Sequence, residues 1–198
     1  MSICVLTGDI VGSTDLTKAQ FSKLRLVLAG CLDALQQDGS ANLDIYRGDG
    51  WQMDFDGRPP GLREALYIRA SLRAENEAFE TRIAIACGPE ISIFLGANTK
   101  THIASGHALD EMPRDILMSH AAGGPLQAAT VLADHISQGW TRAQAMAIRP
   151  FLLKGSGITQ KQVANDLGIS RQAVGQALNA AGFHVLDRAL RAIEEQAK

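Results

Sequence analysis

The chain has few of the residues that build metal or disulfide frameworks. It has 198 residues and three cysteines, Cys4, Cys31 and Cys87, which are far apart and lack the pair spacing of a metal site. The five histidines form no ligand pattern either. No basic run precedes an apolar segment near the start, so no secretory signal is expected. We therefore expect a cytoplasmic protein whose cysteines are buried, reduced thiols.

A long hydrophobic run is also missing. Residues 116–133 lack acidic and basic side chains over 18 positions, but the segment contains serine, histidine, glutamine, threonine and a Gly-Gly-Pro sequence. Lipid would solvate these groups poorly, so this segment is not expected to span a membrane. The 46% hydrophobic content is instead sufficient for a packed core.

The chain has no large excess of charge of one sign, since its net charge is −2. The distribution is uneven, however. Residues 1–120 carry 11 Lys and Arg against 16 Asp and Glu, whereas residues 121–198 carry 8 against 5. The basic part suits a DNA duplex, and the acidic part suits a metal site or a regulatory ligand bound through a metal.

The pattern of residues 160–179 predicts a helix-turn-helix in the basic part. Val163 and Ala164 lie on one face of a first helix, Gly168 allows a sharp turn, and Ile169 is expected to fill the angle between the helices. Ser170 is expected to cap the second helix.

The outer face of that second helix is the predicted DNA-binding surface. Gln172, Gln176 and Asn179 recur at helical spacing opposite the apolar face. Amide side chains pair with adenine edges in a major groove, and Arg171 reaches a guanine edge or a phosphate. Together with Ser170, these are the candidate DNA-binding residues. The alternative is an ordinary helical hairpin.

The acidic part predicts an α+β fold of the ferredoxin-like type. Strand patterns at 2–6, 43–46, 51–55 and 81–87 alternate with two helical patterns, in the order β-α-β-β-α-β. In that topology the first and third strands are antiparallel neighbours. Asp9, after the first strand, and Asp49, before the third, then meet at one edge of the sheet.

Two carboxylates at one sheet edge predict a divalent cation site, for which Mg²⁺ is the candidate ion. Gly12, Ser13 and Thr14 follow in a loop before the first helix, where backbone N–H groups can bind phosphate. The alternative gives Asp9 a capping role and Asp49 a turn position.

The remaining chain gives weaker signals. Residues 91–95 and 101–104 resemble short strands, and residues 110–118, 126–136 and 141–153 resemble helices, the last of which Pro150 is expected to kink or shorten. Residues 119–125 are small and turn-rich, which predicts domains at 1–120 and 121–198. The apolar stripe of residues 185–193 either completes the second core or pairs with another copy.

Two motifs carry a family resemblance. "GDIVGST" and "RGDG" resemble the metal-binding motifs of class III nucleotidyl cyclases, and the similarity extends to "GHALDEMPR". The resemblance assigns Arg114 the role of a catalytic arginine that stabilises the transition state. It places Asp110 where those enzymes have a catalytic asparagine, and Ile45 and Ile103 where they select the purine.

Over most of its length the chain resembles the SatD family of small bacterial proteins, in "GDIVGS", in "GWTRAQAM" and in the C-terminal helix-turn-helix. The expected function is a bacterial transcriptional regulator that binds double-stranded DNA as a homodimer. Its degenerate cyclase-like domain would serve as a sensor or dimerisation unit, with a nucleotide as a possible ligand. The alternative is a metal-dependent, cyclase-like enzyme acting on nucleotides.

Overall fold

A computed structural model describes residues 2–35, 41–46, 48–56, 61–89, 100–154 and 157–196. The strands are β1 (Ser2–Ile10), β2 (Ala41–Tyr46), β3 (Gly50–Asp56), β4 (Thr81–Pro89) and β5 (Met118–His120). The helices are α1 (Lys18–Leu35), α2 (Leu62–Glu75), α3 (Lys100–Asp110), α4 (Gly124–Gln138), α5 (Arg142–Lys154), α6 (Gln160–Leu167), α7 (Arg171–Ala180) and α8 (Phe183–Gln196).

The strands form one sheet in the order β2-β3-β1-β4-β5. β1 lies between β3 and β4 and is antiparallel to both, whereas β5 is parallel to β4. The predicted α+β class and the antiparallel pairing of the first and third strands are therefore confirmed. β1 is longer than predicted and continues to Ile10, because β3 pairs with it as far as Asp9 and β4 as far as Ile10.

One face of the sheet forms the main core with α1 and α2. Alternate strand residues such as Leu6, Met53 and Ile83 are fully buried there. The indole ring of Trp51 packs over Gly8, its partner on β1, so closely that a Cβ atom at position 8 would overlap the ring. The Trp51 Nε1 atom donates to Thr81 Oγ1 over 2.9 Å, which satisfies the buried indole.

The helix α3 covers part of the opposite face. Its residue Leu109 packs with Met112 and with Ala84 of β4 in a second, smaller apolar cluster. Ser105 and Thr7 of β1 form a buried hydrogen bond with an O–O distance of 2.6 Å. This face of the sheet is therefore more polar than the face under α1 and α2.

Three helices begin with the same sequence signal, Thr-X-X-Gln. Before α1, α5 and α6, a threonine hydroxyl accepts a hydrogen bond from the backbone N–H three residues later, and the glutamine accepts one from the threonine backbone N–H. These reciprocal bonds satisfy two donors that the helix itself leaves unpaired. Local sequence therefore determines where these three helices start.

The C-terminal helices share the main core. α5 packs along α2, and Ile148 of α5 and Val174 of α7 belong to the same buried cluster as the sheet residues. Trp140 is also buried, and its Nε1 atom donates to the Ala181 carbonyl over 2.9 Å. The two predicted domains, 1–120 and 121–198, are thus in continuous apolar contact.

Several predicted elements differ from the structure. Residues 101–104 belong to helix α3 rather than to a strand, and residues 111–117 form turns rather than a helix. The weak apolar periodicity of this region did not reveal which side would be buried against the sheet. Pro150 lies inside α5 and does not end it. The predicted strand at 91–95 lies outside the described residues.

The helices predicted at 126–136, 141–153 and 185–193 are all present as α4, α5 and α8. In the part of the chain that the structure describes, no helix has the length and apolar character needed to cross a bilayer.

Candidate functional site

Asp9 and Asp49 lie at the same edge of the sheet, as predicted. Asp9 pairs with Gly50 in the register of β1 and β3, and the backbone N–H of Ile10 donates to the Asp49 carbonyl over 3.1 Å. Asp9 on β1 and Asp49, directly before β3, are thereby held next to each other, although 40 positions separate them in the sequence.

Asp9 already has a cationic partner, Arg82 of β4. Asp9 and Arg82 are directly opposite each other in the antiparallel register, and both side chains lie on the sheet face that α3 partly covers. Arg82 Nε donates to Asp9 Oδ1 over 2.8 Å, and a second nitrogen donates to Asp9 Oδ2. Both oxygens of this carboxylate are therefore used by a bidentate ion pair.

Arg82 also faces the negative charges of Asp49 and Asp110. The hydrogen bonds with Asp9 raise the pKa of Arg82 most, and the charges of Asp9, Asp110 and Asp49 raise it further. One arginine thus balances a cluster of three carboxylates. Asp110, at the end of α3, stands where the cyclase resemblance placed a catalytic asparagine.

This arrangement is a poor fit to a divalent cation as it stands. A cation between Asp9 and Asp49 would have to share the Asp9 oxygens with the Arg82 guanidinium and would be repelled by its positive charge. Within the described ranges, no group of three or more His, Cys, Asp and Glu side chains is arranged to hold a metal ion. No chemical step through a metal is therefore derived for this site.

The predicted phosphate-binding loop borders an open cavity. Ser13 and Thr14 line this cavity, of about 540 Å³, together with Asp49 and with Lys18 from the first turn of α1. Ser13 Oγ donates to Asp49 Oδ2 over 2.8 Å. Gly12 has a left-handed backbone, with φ of 62°, and starts the short 3₁₀ turn that carries Ser13 and Thr14.

The other residues singled out by the cyclase resemblance are not gathered at this site. Arg114 is exposed in the turn after α3, and no hydrogen bond or ion pair among the described residues joins it to Asp9 or Asp49. Ile45 packs against the main core, and Ile103 is half exposed on α3. Two apolar side chains so placed do not form a purine-selecting pair.

The five candidate DNA-binding residues share one surface. Ser170, Arg171, Gln172, Gln176 and Asn179 are all exposed, at the N-cap and along the outer face of α7. The opposite face carries Val174 and Leu178, which are buried. α6 ends at Gly168, whose φ of 65° makes the predicted turn.

The turn differs from the prediction at one residue. Ile169 is 44% exposed and does not fill the angle between α6 and α7. Its backbone N–H donates to the Ala164 carbonyl over 3.0 Å, so the main chain closes the turn. Its apolar side chain is instead available at the surface next to Ser170.

The sequence reasoning missed two residues of the acidic site, Arg82 and Lys18. Arg82 occupies a position that alternation along "TRIAIAC" assigns to the face opposite Ile83, which is the face of Asp9. If β1 and β4 are placed side by side, the alternation of side chains along β4 is enough to predict that Arg82 lies next to Asp9. Lys18 gave no distinctive signal, since a lysine in the first turn of a helix is ordinary.

Comparisons with known proteins do not assign the chain to a family. No protein-family model matches it, and no curated protein matches it. Among solved structures, it is similar to the crystal structure of the guanylyl cyclase Cya2, with 17% sequence identity and a TM-score of 0.44. The match covers 63% of this chain and 79% of the cyclase chain.

Proposed function

We propose that the protein is a DNA-binding transcriptional regulator in which α6 and α7 form a helix-turn-helix and α7 enters the major groove. The observation that carries this proposal is the outer face of α7. It presents Gln172, Gln176 and Asn179 to solvent at successive turns, with Arg171 at the start of the helix. These side chains suit base edges and phosphates, and among the described residues none of them is buried against another helix.

The sheet with its ligand-sized cavity would be the sensor or dimerisation unit of such a regulator. A C2 dimer would offer two copies of α7 to half-sites about one helical turn apart. The cavity beside Ser13, Thr14 and Lys18 would take the phosphate groups of a nucleotide, because hydroxyls and a lysine donate to phosphate oxygens. Differential affinity for that ligand between two arrangements of the chain would shift DNA binding.

The test is selection of genomic fragments bound by the purified chain, followed by affinity measurements on the recovered sequence at fixed moderate salt. We expect a palindromic site. Arg171→Ala and Gln176→Ala should each lose about 1–3 kcal/mol of discrimination between this site and a scrambled duplex. Arg188→Ala, which removes an exposed cation from α8, is the control and should leave discrimination unchanged.

Two results would contradict the proposal. One is the absence of any enriched fragment when circular dichroism shows a folded protein. The other is an equal loss in all three variants, because non-specific charge rather than α7 would then carry the binding.

A second function, metal-dependent nucleotide turnover, has one observation in its favour: Asp49 lines the cavity and lies next to Asp9 in the register. It would require a metal ion to compete with Arg82 for Asp9. Incubation with ATP or GTP and Mg²⁺ or Mn²⁺ distinguishes the two functions. Pyrophosphate or cyclic nucleotide that disappears in Asp49→Ala and persists in Arg188→Ala would favour the enzyme. If no product forms, the enzyme function is excluded and the cavity can serve only to bind a ligand.

A further inference from the structure

Two of the three cysteines lie side by side in the sheet. Cys4 of β1 and Cys87 of β4 are direct partners in the antiparallel register, and their Sγ atoms are 2.9 Å apart. The two thiols are hydrogen bonded to each other, whereas Cys31 of α1 is buried elsewhere in the core. Because 83 positions separate the two cysteines, the sequence alone does not indicate that they are neighbours.

The antiparallel register of this pair suits a disulfide. Directly opposed residues in an antiparallel ladder have Cα atoms about 4.5 or 5.5 Å apart, depending on the pair type. Disulfides span Cα distances of about 4.4–6.8 Å. A covalent bond between these two sulfurs therefore needs only a small movement of the side chains.

The two thiols differ in accessibility. Cys4 is fully buried, and the start of α2 packs on it so closely that a Cβ atom at Gly61 would overlap its sulfur. Cys87 is partly exposed. A small oxidant therefore reaches Cys87 first, and Cys4 is placed to resolve the oxidised product.

A histidine lies beside the accessible thiol. His120 of β5 is buried, and its Nδ1 atom accepts a hydrogen bond from the Ala122 backbone N–H over 3.1 Å. The hydrogen bond between Cys87 and Cys4 and, to a smaller extent, His120 lower the pKa of Cys87 to about 6, although burial opposes them.

We propose that Cys4 and Cys87 form a redox-active dithiol that reduces peroxides and becomes an intramolecular disulfide. The Cys87 thiolate attacks one peroxide oxygen, the O–O bond breaks, and with one proton the products are a Cys87 sulfenic acid and water. The Cys4 sulfur then attacks the Cys87 sulfur, loses its proton, and releases the hydroxyl group as water. Overall, two thiols and H₂O₂ yield one disulfide and two waters, so sulfur is oxidised and oxygen is reduced.

Neither cysteine belongs to the surface proposed to bind DNA, so a negative result for the dithiol leaves the DNA-binding function untouched, and the reverse also holds. The disulfide would tie β1 to β4 directly under the first turn of α2, at Gly61. Reduction by a small dithiol restores the pair.

The experiment treats the full chain with one equivalent of H₂O₂, blocks the remaining thiols with iodoacetamide and maps disulfides by mass spectrometry without reduction. We expect a Cys4–Cys87 cross-link within one chain, the loss of two free thiols, and full reversal by dithiothreitol. Cys31→Ser is the matched control and should form the same cross-link. In Cys4→Ser, dimedone should trap a sulfenic acid at Cys87.

The wild-type chain decides the question even if a variant fails to fold. Unreacted thiols after excess peroxide, a cross-link that includes Cys31, or links only between chains would each overturn the proposal. Faster sulfenic acid formation at Cys4 in Cys87→Ser than at Cys87 in Cys4→Ser would overturn the assignment of Cys87 as the attacking residue.

Discussion

At the scale of single residues, an arginine stands where the sequence suggested a cation site. Arg82 binds both oxygens of Asp9 and faces Asp49 and Asp110. Asp9 and Asp49 at the sheet edge and Asp110 at the end of α3 repel each other unless a positive charge lies among them. The Arg82 guanidinium supplies that charge within the chain itself.

Removal of this charge should destabilise the fold and create a response to divalent cations. In Arg82→Met the apolar stem is kept but the carboxylates lose their counter-charge, so we expect a loss of about 1 kcal/mol in urea unfolding at low salt. Millimolar Mg²⁺ should recover more of this loss than NaCl of equal ionic strength. Arg114→Met is the control, and equal behaviour of the two variants would show that Arg82 does not balance this cluster.

The reactivity of Cys87 should change with pH around pH 6, well below the range of an ordinary cysteine thiol. Its pKa of about 6 means that the thiolate already dominates at neutral pH, so the rate of alkylation by iodoacetamide should rise through about pH 6 and then level off. Cys4→Ser changes the main hydrogen-bond partner and should shift this midpoint upward. Burial raises the pKa of Cys31 to about 11, so that thiol should stay unlabelled. A midpoint for Cys87 near pH 8.5 would contradict the prediction.

At the scale of elements, the turn between α6 and α7 is the feature on which the DNA-binding proposal depends. Gly168 has a positive φ of 65°, and Ser170 caps α7 by accepting a hydrogen bond from the Ala173 N–H over 3.1 Å. These two residues set where α6 ends and α7 begins. The exposed face of α7 keeps its direction only while they do so.

Two glycine substitutions, one at this turn and one inside α7, are expected to change the free energy of unfolding in opposite directions. Gly168→Ala places a side chain in the left-handed region and should cost about 1 kcal/mol of unfolding free energy. Gly175 lies inside α7, where a Cβ atom makes only ordinary contact with Gln160, so Gly175→Ala should stabilise the protein by about 0.5–1 kcal/mol. Urea denaturation followed by circular dichroism measures both. A neutral or stabilising Gly168→Ala would show that the turn is not held as described.

At the scale of the whole molecule, the sheet and the C-terminal helices share buried surface and ion pairs. Arg69 of α2 and Asp134 of α4 form a buried ion pair, and Asp134 also accepts from the Leu117 backbone N–H over 3.0 Å. Arg63 of α2 donates to Glu194 of α8. The two predicted domains are therefore expected to unfold together.

The two tryptophans report on the two parts separately. Trp51 lies in the sheet and Trp140 lies between α4 and α5, and both are buried. In Trp140→Phe, the fluorescence of Trp51 should follow the same urea transition as the far-UV circular dichroism, and the same should hold for Trp140 in Trp51→Phe. Two transitions separated within one variant would mean that the domains unfold independently.

The sequence alone determined the features that depend on short-range chemistry. The helices α1, α2, α4, α5, α6, α7 and α8 were predicted because apolar spacing, the Gly168 turn and the Ser170 cap act within a few residues. The paired strands β1 and β3, with Asp9 and Asp49 at one edge, followed from the order of elements. The exposed face of α7 followed from helical periodicity.

Only the tertiary structure decided which distant residues meet. The Asp9–Arg82 and Cys4–Cys87 pairs depend on the register between β1 and β4, whose paired residues are more than 70 positions apart, and a shift of one residue would place each partner on the opposite face. Likewise, residues 101–104 became helical because α3 buries Thr101 and Ser105 against a polar sheet face, which apolar periodicity does not detect. Local patterns determine elements, whereas the chemistry of this protein's sites arises from the packing between them.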